Sequence, residues 1–258
     1  MYFNNVHILI YVAIAGLGLA IGKMIAWVNM RVPEKKKVFS KEFFKINHEG
    51  LENNYIIMIL TAVLYIALLY KFGIKEELTQ NLDFIKYLVL IPMLISSFFI
   101  DIKHRILPNR INLTMFETGL ILTFIYGITN INMAKDMIFG MFTGAAIFIV
   151  LTILGRIITG KESMGFGDVK FMGALGLYFG VSRIAEIALS AFFISAACSI
   201  VILIVRFTIL KSKDEYIPFG PFLCIAAILS IFLPTNFIFT LFISLCTAIS
   251  NKITQVIN

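Results

Sequence analysis

The feature that most constrains this chain is a succession of apolar runs, at about 7–28, 55–71, 84–100, 111–128, 137–157, 186–209, 217–233 and 236–250, with a shorter one at 169–181. Most approach the roughly 17–25 residues that carry a helix across a bilayer. Inside hydrocarbon the backbone N–H and C=O groups must bond within the segment, so runs of this length are helices. Composition agrees: 59% of the 258 residues are hydrophobic and 14% charged, with a mean hydropathy of +0.92. Soluble domains carry about a quarter charged residues. The expected fold is an all-α polytopic membrane protein with eight or nine transmembrane helices.

The net charge of +7 lies mostly between the runs. It therefore speaks to orientation, with the lipid bilayer as the expected partner and no nucleic acid. If the amino terminus is outside, the inner segments hold sixteen Lys and Arg residues, among them Arg31, Lys35, Lys36 and Lys37, and the outer ones hold Lys71, Lys75, Lys135 and Arg183. Basic loops stay in the cytoplasm. Lys23 and Lys86 fall inside runs but near their ends, where snorkelling is the ordinary expectation. Cys198, Cys224 and Cys246 are scattered through apolar runs without a C-x-x-C pair, so neither a disulfide framework nor a metal site is expected. The A-x-A form at Ala13–Ala15 has no basic residue before it and the run continues to Val28, which favours a retained span over a cleaved signal.

Two carboxylates stand out against this background. Asp101 closes the run at 84–100, and Asp168 opens the one at 169–181. Two crossings separate them, so both return to one membrane face. A carboxylate at the membrane edge is costly to desolvate and tends to face a protein interior or a wet cavity. Two in one cavity repel and come to share a proton: the ionised one can take a proton from water while the protonated one polarises a carbonyl. Gly165 and Gly167 before Asp168 suit unusual backbone angles and close approach, and Asp168 occupies an N-cap position. Gly173, Ala174 and Gly176 after it offer small surfaces on which a substrate helix could lie. Taken singly, each aspartate also has an ordinary meaning, a helix-end charge for Asp101 and a capping residue for Asp168. Gly18-x-x-x-Gly22 and Gly140-x-x-x-Gly144 read as helix packing.

Three blocks together resemble the type IV prepilin peptidases, membrane aspartic proteases of the Gly-x-Gly-Asp type. The first is Asp101 followed by Ile106, Leu107, Pro108 and Asn109. The second runs from Gly160 through Gly165, Phe166, Gly167, Asp168, Val169 and Lys170 to Gly176, and the third is Ile217, Pro218, Phe219, Gly220, Pro221. Gly22, Asn29, Arg31 and Pro33 are similar to the end of the family's first span. The resemblance implies Asp101 and Asp168 as the catalytic pair, with Gly165, Gly167, Lys170 and Pro108 supporting them. It implies cleavage of the basic leader from type IV prepilin or pseudopilin precursors, in the bacterial inner (plasma) membrane with the site on the cytoplasmic side. No cofactor is implied for proteolysis.

Many members also methylate the new amino terminus with S-adenosylmethionine, which is expected here only if that activity is retained. The segment from Arg31 to Asn54 lacks the cysteine pairs of many bacterial members, and Lys23 and Ala26 replace residues usual after the first-span glycine. No zinc is expected. The implied organisation is a first span with a basic loop over 1–54 and a peptidase domain over 55–258. The competing function is an ion-coupled transporter, which predicts inverted repeats and broken helices meeting near the midplane. No such repeat is visible.

Overall fold

The computed structural model describes residues 2–3, 6–34, 55–75, 78–160, 164–205 and 218–235, with isolated positions 237, 240, 244 and 247. The loop at 35–54, Lys161–Ser163, Ile217, Cys246 and most of the run at 236–250 lie outside the described residues. The elements in order are β1 (Tyr2–Phe3), β2 (Val6–His7), α1 (Ile8–Arg31), α2 (Tyr55–Phe72), α3 (Leu78–His104), α4 (Asn109–Thr129), α5 (Ile131–Thr159), α6 (Phe166–Val205) and α7 (Gly220–Phe232). The strands form a two-residue antiparallel pair ahead of α1, a small addition to the all-helical expectation. Among the described residues, six helices are long and apolar enough to cross a membrane, and α7 is shorter.

The span α6 comprises two helices joined at a sharp reversal, and it folds back on itself. Gly144 of α5 meets both Met172 and Ile184, which a straight helix would hold about 18 Å apart. Gly140 likewise meets both Gly176 and Gly180, and Phe148 lies 6.2 Å from Phe192. The arm 166–179 thus runs against α5 and the arm 181–205 runs along it. The reversal falls on Gly180, whose φ of 72° lies in the left-handed region that glycine occupies without penalty. The Asp136 carboxylate fills the place a Cβ would take there and accepts the Val181 N–H at 3.2 Å, capping the second arm. The sequence runs at 169–181 and 186–209 are therefore separate helices.

Every residue from 171 to 180 is buried, so the first arm of α6 is the central rod of the bundle. A helix enclosed on all sides needs small residues where neighbours approach. A side chain at Gly140 or Gly176 would strike the other helix's backbone, as one at Gly144 would strike Met172, and Gly18 and Gly22 of α1 meet Ala62 and Met58 of α2 in the same way. Pro92 inside α3 leaves the Leu88 carbonyl without its helical donor, and the Tyr65 hydroxyl supplies one at 2.8 Å.

At the end of the bundle away from Asp168, charged groups pair off. Lys86 does not snorkel: it is 6% exposed, bonds Asp83 at 2.8 Å and lies over the rings of Tyr87 and Tyr126, while the Tyr126 hydroxyl donates to Asp83 at 2.7 Å. The short α7, about 20 Å long by its 13 residues, ends there with carbonyls that accept from Arg183 (Ser230 at 3.1 Å, Leu233 at 3.2 Å) and from Lys71 (Ile231). Cys224 is buried and Cys198 half-buried, both as free thiols.

Candidate active site

Asp101 sits in the last turn of α3, 5% exposed. The chain leaves that helix through Arg105, whose N–H bonds the Asp101 carbonyl at 2.8 Å and whose φ of 56° is unusual for a residue with a side chain. Pro108 then opens α4 in extended conformation, its carbonyl accepting the N–H groups of Ile111 and Asn112 at 3.1 and 3.2 Å. This turn lays Leu107 against Gly167, where an added Cβ would stand 3.4 Å from the Leu107 Cβ. The first and second sequence blocks are therefore in contact.

Asp168 is the third residue of α6, not its N-cap. Its N–H bonds the Gly165 carbonyl at 3.0 Å, and its carboxylate in turn takes the Gly165 N–H. A side chain reaching back to the first free donor of its own helix is one limb of a capping box. Gly165 and Gly167 do not take positive φ, contrary to the sequence expectation. An added Cβ at Gly165 would lie 3.5 Å from the Asp168 carboxylate, an ordinary contact distance, so the surroundings do not themselves require glycine there. Lys170 points elsewhere, donating to Asn109 Oδ1 at 3.2 Å above the Phe166 ring.

The third block contributes to the site as well. The Gly220 N–H, at the start of α7, bonds the Asp101 carboxylate, and a side chain at 220 would overlap that carboxylate. In the sequence this block carried only the family resemblance, with no role at the site for Gly220; the signal available was a glycine between two prolines, where a close neighbour leaves no room for a Cβ. Asp101, Asp168, Gly165, Gly167, Lys170, Asn109, Arg105 and Phe219 line one cavity of about 370 Å³. Neither aspartate joins an ion pair among the described residues. Among those residues no group of three or more His, Cys, Asp or Glu is placed to hold a metal ion.

An apolar groove of about 610 Å³ between α4, α5 and the first arm of α6 shares Asn109, Phe166 and Lys170 with that cavity. Gly173 and Ala174 line it. Gly176 does not: it is packed on Gly140, so its small size serves the bundle. Asn112 also lines the groove and donates to the Gly167 carbonyl at 3.2 Å. Asn112 was not among the residues the sequence singled out, although an asparagine inside a membrane helix is itself a signal.

Chemically, two carboxylates opening on one cavity from separate helices, each bonded to a backbone donor and to no cation, can hold one proton between them. Such a pair is able to supply a general base and a general acid within one cavity.

Comparison with known proteins follows the same residues. Positions 88–210 match the model of the type IV leader peptidase family. The chain is 28% identical over 171 residues to the prepilin leader peptidase/N-methyltransferase of Aeromonas hydrophila, covering 66% of this chain and 55% of that protein. It is 32% identical over 173 residues to the protein of that name from Legionella pneumophila, covering 67% and 56%. With leader peptidase HopD of Escherichia coli it shares 32% identity over 126 residues, 49% of this chain and 78% of that protein. The matched part spans about half the length of the first two relatives. No solved structure matches the chain significantly. With most of leader peptidase HopD covered at this identity, and the family model lying across both aspartates, the chain belongs to the type IV leader peptidase family.

Proposed function

We propose that this chain is a membrane-embedded aspartic endopeptidase that removes the leader from type IV prepilin-like or pseudopilin precursors. The observation that carries it is the meeting of Asp101 and Asp168, 67 positions apart in sequence, in one cavity. One carboxylate, ionised, takes a proton from water as the oxygen adds to the scissile carbonyl carbon. The other, protonated, donates to the carbonyl oxygen. When the tetrahedral species collapses the C–N bond breaks and a proton passes to the leaving amine. Gly220, Gly165 and the Pro108 turn hold the two groups in place.

The aspartates lie on the cytoplasmic side of the bacterial plasma membrane in this proposal, with the amino terminus outside. The helices α1 to α5, the two arms of α6 and α7 make eight crossings, and the run at 236–250 would make a ninth. Residues 1–54 form a first span with its loop, and 55–258 the peptidase domain. The transporter alternative gains nothing: both carboxylates stand at helix ends, and the relatives are named peptidases.

Two of those names also include N-methyltransferase. S-adenosylmethionine needs acceptors for its amino and ribose groups beside a slot for adenine. The apolar groove beside the aspartate cavity and the one lined by Ile21, Pro92 and Ile111 contain no carboxylate. Neither of these two grooves offers such acceptors, and no step here involves that cofactor.

The test is coexpression of this chain, or its Asp168→Asn form, with candidate precursors, reading leader removal and the mass of the new amino terminus by mass spectrometry. Leader loss with the wild type and none with the variant is expected. Full processing by the variant overturns the assignment.

A further inference from the structure

The apolar groove is lined, beside the aspartate cavity, by a residue with a buried polar atom that none of the described residues satisfies. Asn112 lies in the first turns of α4 and is 4% exposed. Its Nδ2 donates to the carbonyl of Gly167, the residue before Asp168. That bond sets which way the amide faces, and it leaves Oδ1 buried without a hydrogen-bond partner among the described residues. An unpaired amide oxygen away from water costs free energy, so a buried one beside a reactive group calls for a donor.

We infer that Asn112 binds the main chain of the substrate, Oδ1 accepting an N–H at the amino end of the precursor's apolar helix while that helix lies in the groove. The inference rests on the peptidase reading given above. A helix that begins inside a membrane protein brings the complementary deficit: its first N–H groups have no intrahelical acceptor, and hydrocarbon offers none. The groove suits such an occupant. Its walls are almost wholly apolar, Gly173 and Ala174 allow another helix backbone to come close, and it shares Asn109, Phe166 and Lys170 with the aspartate cavity beside it. A helix seated there with its amino end at Asn112 places the peptide bond that precedes it next to Asp168. Asn112 is thus a positioning residue for the substrate and takes no part in proton transfer.

The test uses the full chain in lipid nanodiscs with synthetic precursors, a basic leader joined to an apolar helix, and reads kcat and KM separately. Asn112→Leu keeps the volume and loses the acceptor; its KM is expected to rise about 10-fold with kcat less affected, the scale of one hydrogen bond to a buried group. In a second series, a backbone ester replaces the amide at the second, third or fourth residue after the cleavage point, deleting one N–H at a time. With wild-type enzyme one ester position is expected to raise KM by a similar factor, and with Asn112→Leu the same ester is expected to add nothing. An unchanged KM for Asn112→Leu, or an ester penalty that persists in that variant, overturns the inference and leaves the peptidase reading intact. Should Asn112→Leu not fold, the wild-type ester series decides alone: a penalty at one position supports the contact, and equal turnover at all three overturns it. If wild type cleaves none of the all-amide precursors, the peptidase reading falls and the inference with it.

Discussion

The two ends of the helix bundle treat charge in opposite ways. Away from the aspartate cavity, Asp83 meets Lys86 and Tyr126, and Arg183 and Lys71 satisfy the last carbonyls of α7. At the cavity, Asp101 and Asp168 each meet a backbone N–H, while Lys170, close enough to line the same cavity, bonds Asn109 instead. A carboxylate answered by a fixed cation is ionised and structural. One answered by a backbone amide in a cavity with a second carboxylate keeps access to both protonation states, and catalysis by acid and base requires that.

The strongest way to break this comparison is to remove one charged group at each end. Asp101→Asn or Asp168→Asn is expected to lower leader cleavage by roughly 10²–10⁴-fold with the protein inserted and folded, measured by precursor processing alongside thermal unfolding in detergent. Lys86→Met is expected to do the reverse, lowering stability by about 2 kcal/mol with turnover per folded molecule retained. A lysine variant that loses turnover while keeping its unfolding temperature would erase the distinction.

Glycines sharpen it next. Gly220→Ala pushes a methyl into the Asp101 carboxylate, and displacement of a catalytic group by about 1 Å can lower the rate about 10²-fold. Gly73→Ala, at the far end of α2 with φ of 63° and open space around it, is expected to cost only about 1 kcal/mol of stability. Gly176→Leu is expected to reduce the yield of folded protein, since Gly176 meets the Gly140 backbone, whereas Gly173→Leu on the groove wall is expected to raise KM. Assaying folded yield and KM for both separates packing from binding.

The smallest effect concerns Arg105. Its left-handed φ costs about 1 kcal/mol that glycine would not incur. Arg105→Gly is therefore expected to raise the unfolding temperature slightly, and an unchanged or lower one would show that the arginine side chain returns more than the backbone loses.

Much of the site was legible in advance because its components are local. Asp101 with its Leu107-Pro108 step, and the glycines around Asp168, are short patterns whose spacing is preserved in the chain. Helix packing at Gly18, Gly22, Gly140 and Gly144 was legible for the same reason, since small residues one turn apart mark a face. What escaped depended on partners far away in sequence. Lys86 looked like a snorkelling lysine until Tyr126 of α4 closed over it. Gly220 was one letter of a family-like block with no role of its own until α7 docked its first N–H on Asp101 of α3.

By itself the sequence determined that this is a membrane bundle, because no soluble surface could be built from so apolar a chain, and crossing parity alone returned both aspartates to one face. Only the tertiary structure decided that the reversal between the two arms of α6 falls on Gly180 with the first arm at the centre of the bundle, and that Gly176 is buried packing while Gly173 and Ala174 face a groove. It also decided that Asn112 is left with an unanswered oxygen beside Asp168. Parity and hydropathy follow from residues in order along the chain, whereas the neighbours of a side chain follow from which helices pack against one another.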